Sequence, residues 1–249
     1  MSPSISSRMT AIASDTPPAR MPWEDATVVA VRDETARAKT FRLALDRPLQ
    51  RLAGQHYIVR LTAPDGYTAM RSYSVASPPD GSNEFEITVE LLPRGEVSSF
   101  LHEEVVVGDH LEVRGPIGGW FVWEGTTPAL GIGGGSGVVP IMSMLRLARR
   151  QNRSDLFQVV VSVRSPADLY YANEIDGLET RIVYTRQPPQ SSSRPAGRLK
   201  LPDVAPCVRS GATTYICGST SFTNAASDLV VEAGVPVDHI RVERFGPTG

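Results

Sequence analysis

The chain has 249 residues, 41% apolar and 21% charged, enough to bury the core of one large domain or two smaller ones. Its 25 basic and 27 acidic residues leave a net charge of −2, which excludes nucleic-acid binding through a dense basic surface. Two cysteines, Cys207 and Cys217, are too few for a four-thiolate iron–sulfur cluster or a cysteine-ligated zinc ribbon, and no run approaches the about 20 apolar residues of a membrane helix. The expected location is therefore the cytoplasm, with no membrane insertion.

Residues 1–22, rich in Ser, Thr and Pro, read as a disordered N-terminal arm, and folded sequence is expected from Trp23. Over 23–126 short β-rich runs follow one another: Thr27–Val31, Thr40–Leu45, His56–Leu61, Arg71–Val75, Glu84–Leu91 and His110–Val113. Turn sequences such as Pro64-Asp65-Gly66 and Pro78-Pro79-Asp80-Gly81 separate them. The pattern predicts a small antiparallel β-barrel, interrupted by one short helix over Val97–Glu104. Glu124–Pro128 reads as a linker.

Over 127–249 strands alternate with helices. Ala129–Ile132, Phe157–Val163, Arg181–Thr185, Thr214–Cys217 and Ile240–Phe245 are expected strands. Val138–Arg150, a stretch near Asp168–Ile175, and Phe222–Ala233 are expected helices, and Gln187–Gly197 a surface loop. Such alternation predicts an α/β doubly wound parallel sheet covered on both faces.

Four segments carry chemistry. Gly131-Ile-Gly-Gly-Gly-Ser-Gly137 leaves a strand and opens a helix, where glycines let the backbone approach a pyrophosphate and free N–H groups favour its charge. It departs from G-x-G-x-x-G, since its sixth position is Ser136, and no Lys follows to make a Walker A loop. Arg71-Ser72-Tyr73-Ser74 combines a phosphate fork, a flat ring and a hydroxyl on one strand. Pro93-Arg-Gly-Glu-Val-Ser-Ser99 opens a short helix, as an anion site or a simple N-cap. Tyr215-Ile-Cys-Gly-Ser219 ends a strand in a thiol and a glycine.

In this order, together with Gly115-Pro-x-Gly118 and Glu243-Arg-Phe245, these segments resemble the ferredoxin–NADP reductase superfamily over residues 24–249. The resemblance implies a barrel that binds FAD and a second domain that binds a nicotinamide dinucleotide. On that template the Arg71–Ser74 segment, Ser72 included, holds FAD: Arg71 meets its pyrophosphate with Gly95, Glu96, Val97 and Ser98, Tyr73 packs on the isoalloxazine, and Ser74 lies near flavin N5. Gly133, Gly134, Gly135, Ser136 and Gly137 cradle the nicotinamide dinucleotide. Cys217 and Gly218 line the place of hydride transfer, Glu243 handles a proton or a partner, and Phe245 is an aromatic near the flavin. Ser74, Cys217 and Glu243 are thus the implied catalytic residues.

The implied activity is hydride transfer from nicotinamide C4 to flavin N5, then electron transfer to a separate acceptor protein, a ferredoxin-type carrier or an oxygenase component. Two features depart from the template: the chain continues past Phe245 to Gly249, and it has neither the cysteines nor the length for a fused iron–sulfur domain. Thr185-Arg186, with Arg164 nearby, is similar to the Ser-Arg pair that plant-type members place at a 2′-phosphate, which favours NADPH over NADH. Alternatives are a flavin or quinone reductase acting on free small acceptors, and a non-catalytic flavin electron-relay subunit. His56, His102, His110 and His239 show no metal spacing. Trp120, Phe121 and Trp123 are expected to seal the domain interface. Asp168, Tyr170 and Tyr171 are weaker candidates for approaching a cofactor.

Overall fold

The computed structural model describes residues 21–245, so most of the expected N-terminal arm and the last four residues lie outside it. Six strands form one antiparallel sheet: β1 (Glu24–Thr35), β2 (Ala38–Ala44), β3 (His56–Thr62), β4 (Thr68–Ser74), β5 (Glu84–Glu90) and β6 (His110–Ile117), in the order β4-β3-β6-β1-β2-β5. Just past the end of β4, a bridge between Val75 and Ile87 and a bond from the Ala76 amide to the Glu86 carbonyl join the chain to β5, which closes the sheet into a barrel. Inward-facing Phe41, Tyr57, Val59, Phe85 and Val113 fill it, with the Tyr57 and Phe85 rings stacked 4.0 Å apart. Each such side chain contributes roughly 1.5–3 kcal/mol through burial. Helix α1 (Glu96–Glu103) adds Val97 and Leu101 to that core.

Five strands form the second sheet: β7 (Ala129–Gly134), β8 (Phe157–Val163), β9 (Thr180–Tyr184), β10 (Thr213–Ser219) and β11 (Ile240–Phe245), all parallel, in the order β11-β10-β7-β8-β9. The chain enters at the centre on β7, runs outward to β9, then returns to the other side of β7 as β10. The winding direction therefore reverses between β7 and β10, and in such sheets the crevice beyond the strands' carboxyl ends at that reversal is the ligand site. Helices α2 (Val138–Arg150), α3 (Leu201–Val204) and α4 (Thr220–Glu232) complete this half. Helix α2 is buried along almost its whole length, from Val138 to Leu145 without a break, because the sheet covers one side and the barrel another.

Three local expectations are corrected. Asp168–Ile175 is not a helix: Pro166–Asp168 forms one tight turn, after which Tyr171 adopts a left-handed φ of +56°. Its amide and hydroxyl both bond to the barrel, through Glu34 and Thr88, and these tertiary bonds replace the helical ones. The single turn α3 fell inside no expected element. Phe121 and Trp123 do sit in the seam, against Tyr215 and Phe157 at 5.3 and 4.7 Å between ring centroids. Trp120 does not: it is 62% exposed, with the Arg241 guanidinium 3.7 Å from its ring centroid.

Candidate active site

The crevice at the β7–β10 reversal gathers the second half's glycines and thiol. After β7 the chain makes one tight turn over Gly135–Gly137 and enters α2 with no side-chain cap; the Val138 amide bonds back to the Gly135 and Ser136 carbonyls, and the N–H groups of the turn itself precede the helical ladder. Gly135 has φ +56° and open space where a side chain would project. Gly137 is the opposite: a Cβ there would overlap the Cys217 carbonyl, so only glycine lets the loop rest against β10. The Phe222 ring of α4 covers Gly134 and Gly218, 2.6 and 2.7 Å from the positions a Cβ would take. An open, uncapped turn beside a closely packed one fits a dinucleotide pyrophosphate.

Cys217 is fully buried on β10, between Gly133 of β7 and Glu243 of β11 in register. Burial, with the Glu243 carboxylate beside it, pushes its thiol well above the usual range. Burial also pushes Glu243 up to about 7. That carboxyl therefore exchanges its proton close to neutral pH, next to a thiol that stays protonated. Phe245 ends β11 opposite Ser219 and packs against the cluster that contains Cys217.

Linkage gives Glu243 a stability signature. The folded state keeps the proton to about pH 7, whereas the unfolded chain releases it in the ordinary carboxylate range. Stability from this residue is thus present at acid pH and is lost as pH rises through 7. Glu243→Gln is expected to flatten urea-unfolding stability between pH 5 and 8 and to raise it at pH 8; a variant profile parallel to the parent would contradict the shift.

The barrel side of the crevice is built from β4 and α1. On β4 successive side chains alternate, so Arg71 and Tyr73 share one face and Ser72 and Ser74 the other. Arg71 is exposed, bonds only the Met70 carbonyl at 2.7 Å, and has no carboxylate partner among the described residues. Tyr73 leans on the barrel core, and burial raises its phenol pKa. Ser74 is buried at the strand end. Helix α1 starts at Gly95 without a side-chain cap, leaving the amides of Glu96, Val97 and Ser98 free of helical partners. The Ser98 hydroxyl is turned inward, donating to the Gly95 carbonyl at 3.0 Å and accepting from the Leu92 amide at 3.2 Å. The Glu96 carboxylate accepts from the Tyr67 hydroxyl at 3.1 Å. An anion at this end would therefore meet backbone N–H groups rather than those two side chains, and a free guanidinium with free amides fits the FAD pyrophosphate.

The halves meet along one seam. Ala76, two residues past Ser74, lies in the same buried cluster as Cys217, Phe121 and Tyr215. The Tyr215 hydroxyl donates to the Val122 carbonyl at 2.7 Å, and the Ser143 hydroxyl of α2 donates to the Ser77 carbonyl at 2.8 Å. Arg164, Thr185 and Arg186 come together elsewhere, at the ends of β8 and β9, where the Thr185 amide bonds the Val163 carbonyl and the Arg186 amide the Arg164 carbonyl. Both guanidiniums are exposed. The Asp168 carboxylate is held by the Ser165 hydroxyl, and Tyr170 and Tyr171 are buried. Phe222, Ser143 and Arg146 were not foreseen, because nothing in a helix stripe says which face a second domain will cover.

A barrel whose short helix opens without a side-chain cap, joined to a doubly wound sheet with a glycine turn at its reversal point, offers two separate places suited to nucleotide-containing cofactors. Residues 25–122 match the oxidoreductase FAD-binding domain family and residues 132–228 the oxidoreductase NAD-binding domain family. The chain is 29% identical over 236 residues to the ferredoxin–NAD(P)+ reductase component of the naphthalene 1,2-dioxygenase/salicylate 5-hydroxylase systems of Ralstonia sp., covering 90% of this chain and 69% of that one. It is 31% identical over 239 residues to the glycine betaine monooxygenase reductase subunit of Chromohalobacter salexigens, covering 88% and 63%. In fold it is similar to the FAD/NAD-binding domain of nitric oxide dioxygenase from Vibrio cholerae, with a TM-score of 0.79 at 24% identity over 90% of this chain and 99% of that one. This chain belongs to the ferredoxin–NADP reductase superfamily of FAD- and nicotinamide-dependent oxidoreductases. It spans 63–69% of the length of those two curated relatives. No helix among the described residues is long and apolar enough to cross a membrane.

Proposed function

We propose that the chain is an FAD-dependent NAD(P)H reductase that delivers electrons to a separate protein acceptor, an oxygenase component or a ferredoxin-type carrier. The observation that carries this is the packing of Gly137 against Cys217 at the sheet's reversal point, joined through one buried seam to the end of the flavin strand. The acceptor rests on the relatives, which are named as reductase components and subunits of oxygenase systems. A cytoplasmic location suits an enzyme fed by the NAD(P)H pool, with both of its thiols free.

When bound, FAD and the dinucleotide supply hydride transfer between nicotinamide C4 and flavin N5. The chain supplies charge, orientation and dryness. Arg71 and the amides of Glu96, Val97 and Ser98 hold the FAD pyrophosphate, while Ser72, Tyr73 and Ser74 border the ring along β4. Gly133 to Gly137 receive the second pyrophosphate. Cys217, kept as a neutral thiol, and Gly218 would border the nicotinamide without adding charge to its surroundings. Glu243, poised near neutrality, holds or releases a proton behind that pair, and Phe245 shields it from water.

Within this reading NADPH is the preferred donor, because Arg164 and Arg186 place two exposed cations, without carboxylate partners among the described residues, at adjacent strand ends. Arg186→Glu is expected to cut the NADPH-to-NADH ratio of kcat/KM by about tenfold to a hundredfold, the worth of a charge-assisted phosphate contact. An unchanged ratio would remove Arg186 from the 2′-phosphate. The reading as a whole is tested by anaerobic titration of the purified protein with NADPH and with NADH, followed by absorbance. Bleaching of a bound flavin supports it, and a flavin that neither nucleotide bleaches would leave only an electron-relay role. Turnover on free flavin with none on carrier proteins would overturn the acceptor.

A further inference from the structure

Away from the glycine turn, the two halves are tied by a polar network that neither cofactor role accounts for. Its hub is Arg146, two turns along α2 from the pyrophosphate turn and part-buried. Its Nη1 donates to the Glu86 carboxylate of β5 at 2.9 Å and to the Ala76 carbonyl at 3.1 Å. Its Nε donates to the Glu174 carboxylate at 2.9 Å, and Nη2 bonds the other oxygen of the same group. The guanidinium also lies over the Tyr171 ring, 5.0 Å from its centroid.

Tyr171 continues the tie. Thr40 donates to one Glu34 oxygen at 2.7 Å and lies 2.7 Å from Thr88, which in turn meets the Tyr171 hydroxyl. Each hydroxyl has one proton. Thr40 spends its own on Glu34, so Thr88 donates to Thr40 and Tyr171 to Thr88. Meanwhile the Tyr171 amide donates to the other Glu34 oxygen at 3.1 Å. The circuit closes on a single carboxylate, whose remaining contact is Arg32 at 2.8 Å, and it holds Tyr171 in its left-handed φ of +56°.

What these bonds join is informative. Helix α2 begins at the pyrophosphate turn, and at Ser143 and Arg146 it grips Ser77 and Ala76, three and two residues past the end of the flavin strand. Strand β5, which carries Glu86 and Thr88, lies against the Gly135–Gly137 turn. One short rigid path thus connects the seat of the nucleotide to the seat of the flavin.

We infer that Arg146, supported by Tyr171, is a positioning residue: it sets the register of the two halves and so the approach of nicotinamide to flavin, without touching either. This rests on the proposed function. Transfer between two rings depends steeply on their separation, and a displacement of an ångström can cost about a hundredfold in rate. A simple structural ion pair would instead change only stability.

Arg146→Lys keeps the charge but loses the fork that spans three acceptors, and Tyr171→Phe deletes one hydroxyl. Each flavin-loaded variant is mixed anaerobically with saturating NADPH in a stopped-flow spectrometer, which reads the bleaching rate and the long-wavelength charge-transfer absorbance of the paired rings. Amide hydrogen exchange on β5 and on residues 166–176 is followed in parallel without nucleotide. The expected result is a bleaching rate lowered about tenfold or more, a weakened charge-transfer band, faster exchange in both segments, and unchanged flavin content and nucleotide affinity. Parent-like bleaching and absorbance, with only the unfolding midpoint lowered, would overturn the inference. If the parent's own flavin is not bleached, the proposed function falls; exchange then still decides whether Arg146 ties the halves, and parent-like exchange refutes that tie. Should Arg146→Lys fail to fold, Tyr171→Phe carries every readout.

Discussion

Arg71→Ala is expected to strip most of the flavin from the protein while leaving the fold intact. The side chain is exposed, makes one hydrogen bond to its neighbour's carbonyl, and has no carboxylate to abandon among the described residues. Its removal therefore costs little folding energy. A charge-assisted bond to phosphate is worth roughly 1.5–3 kcal/mol, so FAD affinity should fall by about tenfold to a hundredfold. Arg71→Lys should fall between, retaining charge without the fork. The flavin-to-protein ratio after gel filtration and the apparent Kd from fluorescence titration report it. Parent-like flavin content in Arg71→Ala would remove the residue from the pyrophosphate.

Gly137→Ala is expected to damage both stability and nucleotide binding. The added methyl would overlap the Cys217 carbonyl and lie 2.7 Å from the Gly218 nitrogen, and both are backbone atoms that cannot swing aside. Forcing α2 away from β10 should cost about 3 kcal/mol or more, the top of the usual range for overpacking, because the clash is with backbone. Gly135→Ala is the instructive contrast. Its methyl meets no atom, though φ is +56°, so stability should fall by only about 1–2 kcal/mol from the left-handed backbone. That methyl would still occupy the space a pyrophosphate needs. Urea unfolding together with nucleotide titration separates the two: affinity lost with modest destabilisation at Gly135, and both lost at Gly137. Equal behaviour of the two variants would contradict the close packing of Gly137 on β10.

The barrel and the parallel sheet were legible because their cues are local. Period-two runs with Pro-Asp-Gly turns make antiparallel strands wherever they occur, and apolar strands alternating with amphipathic helices leave few arrangements besides a doubly wound sheet. The glycine turn and Arg71–Ser74 were visible for the same reason, since each is a short run of residues whose types already suggest phosphate or ring contact, whereas Cys217-Gly218 gained a role only through the family resemblance. Residues 168–175 misled because their apolar spacing is helical, while Glu34 and Thr88, more than eighty positions away, claim the Tyr171 amide and hydroxyl. Trp120 misled differently: its neighbours Phe121 and Trp123 are buried, but one residue further out on the same loop faces solvent under Arg241.

From its amino acids alone this protein was bound to make two halves, each with a glycine-bearing helix start, because hydrophobic period, turn chemistry and glycine placement act over a few neighbouring residues. Only the folded chain decided that Gly137 presses on Cys217, that the Ser98 hydroxyl turns inward, that Glu243 keeps its proton to near neutrality, and that Arg146 ties α2 to the strand beyond Ser74. Those outcomes depend on which distant surfaces come within a few ångströms and on how much water is left between them, and neither quantity is a property of any short stretch of sequence.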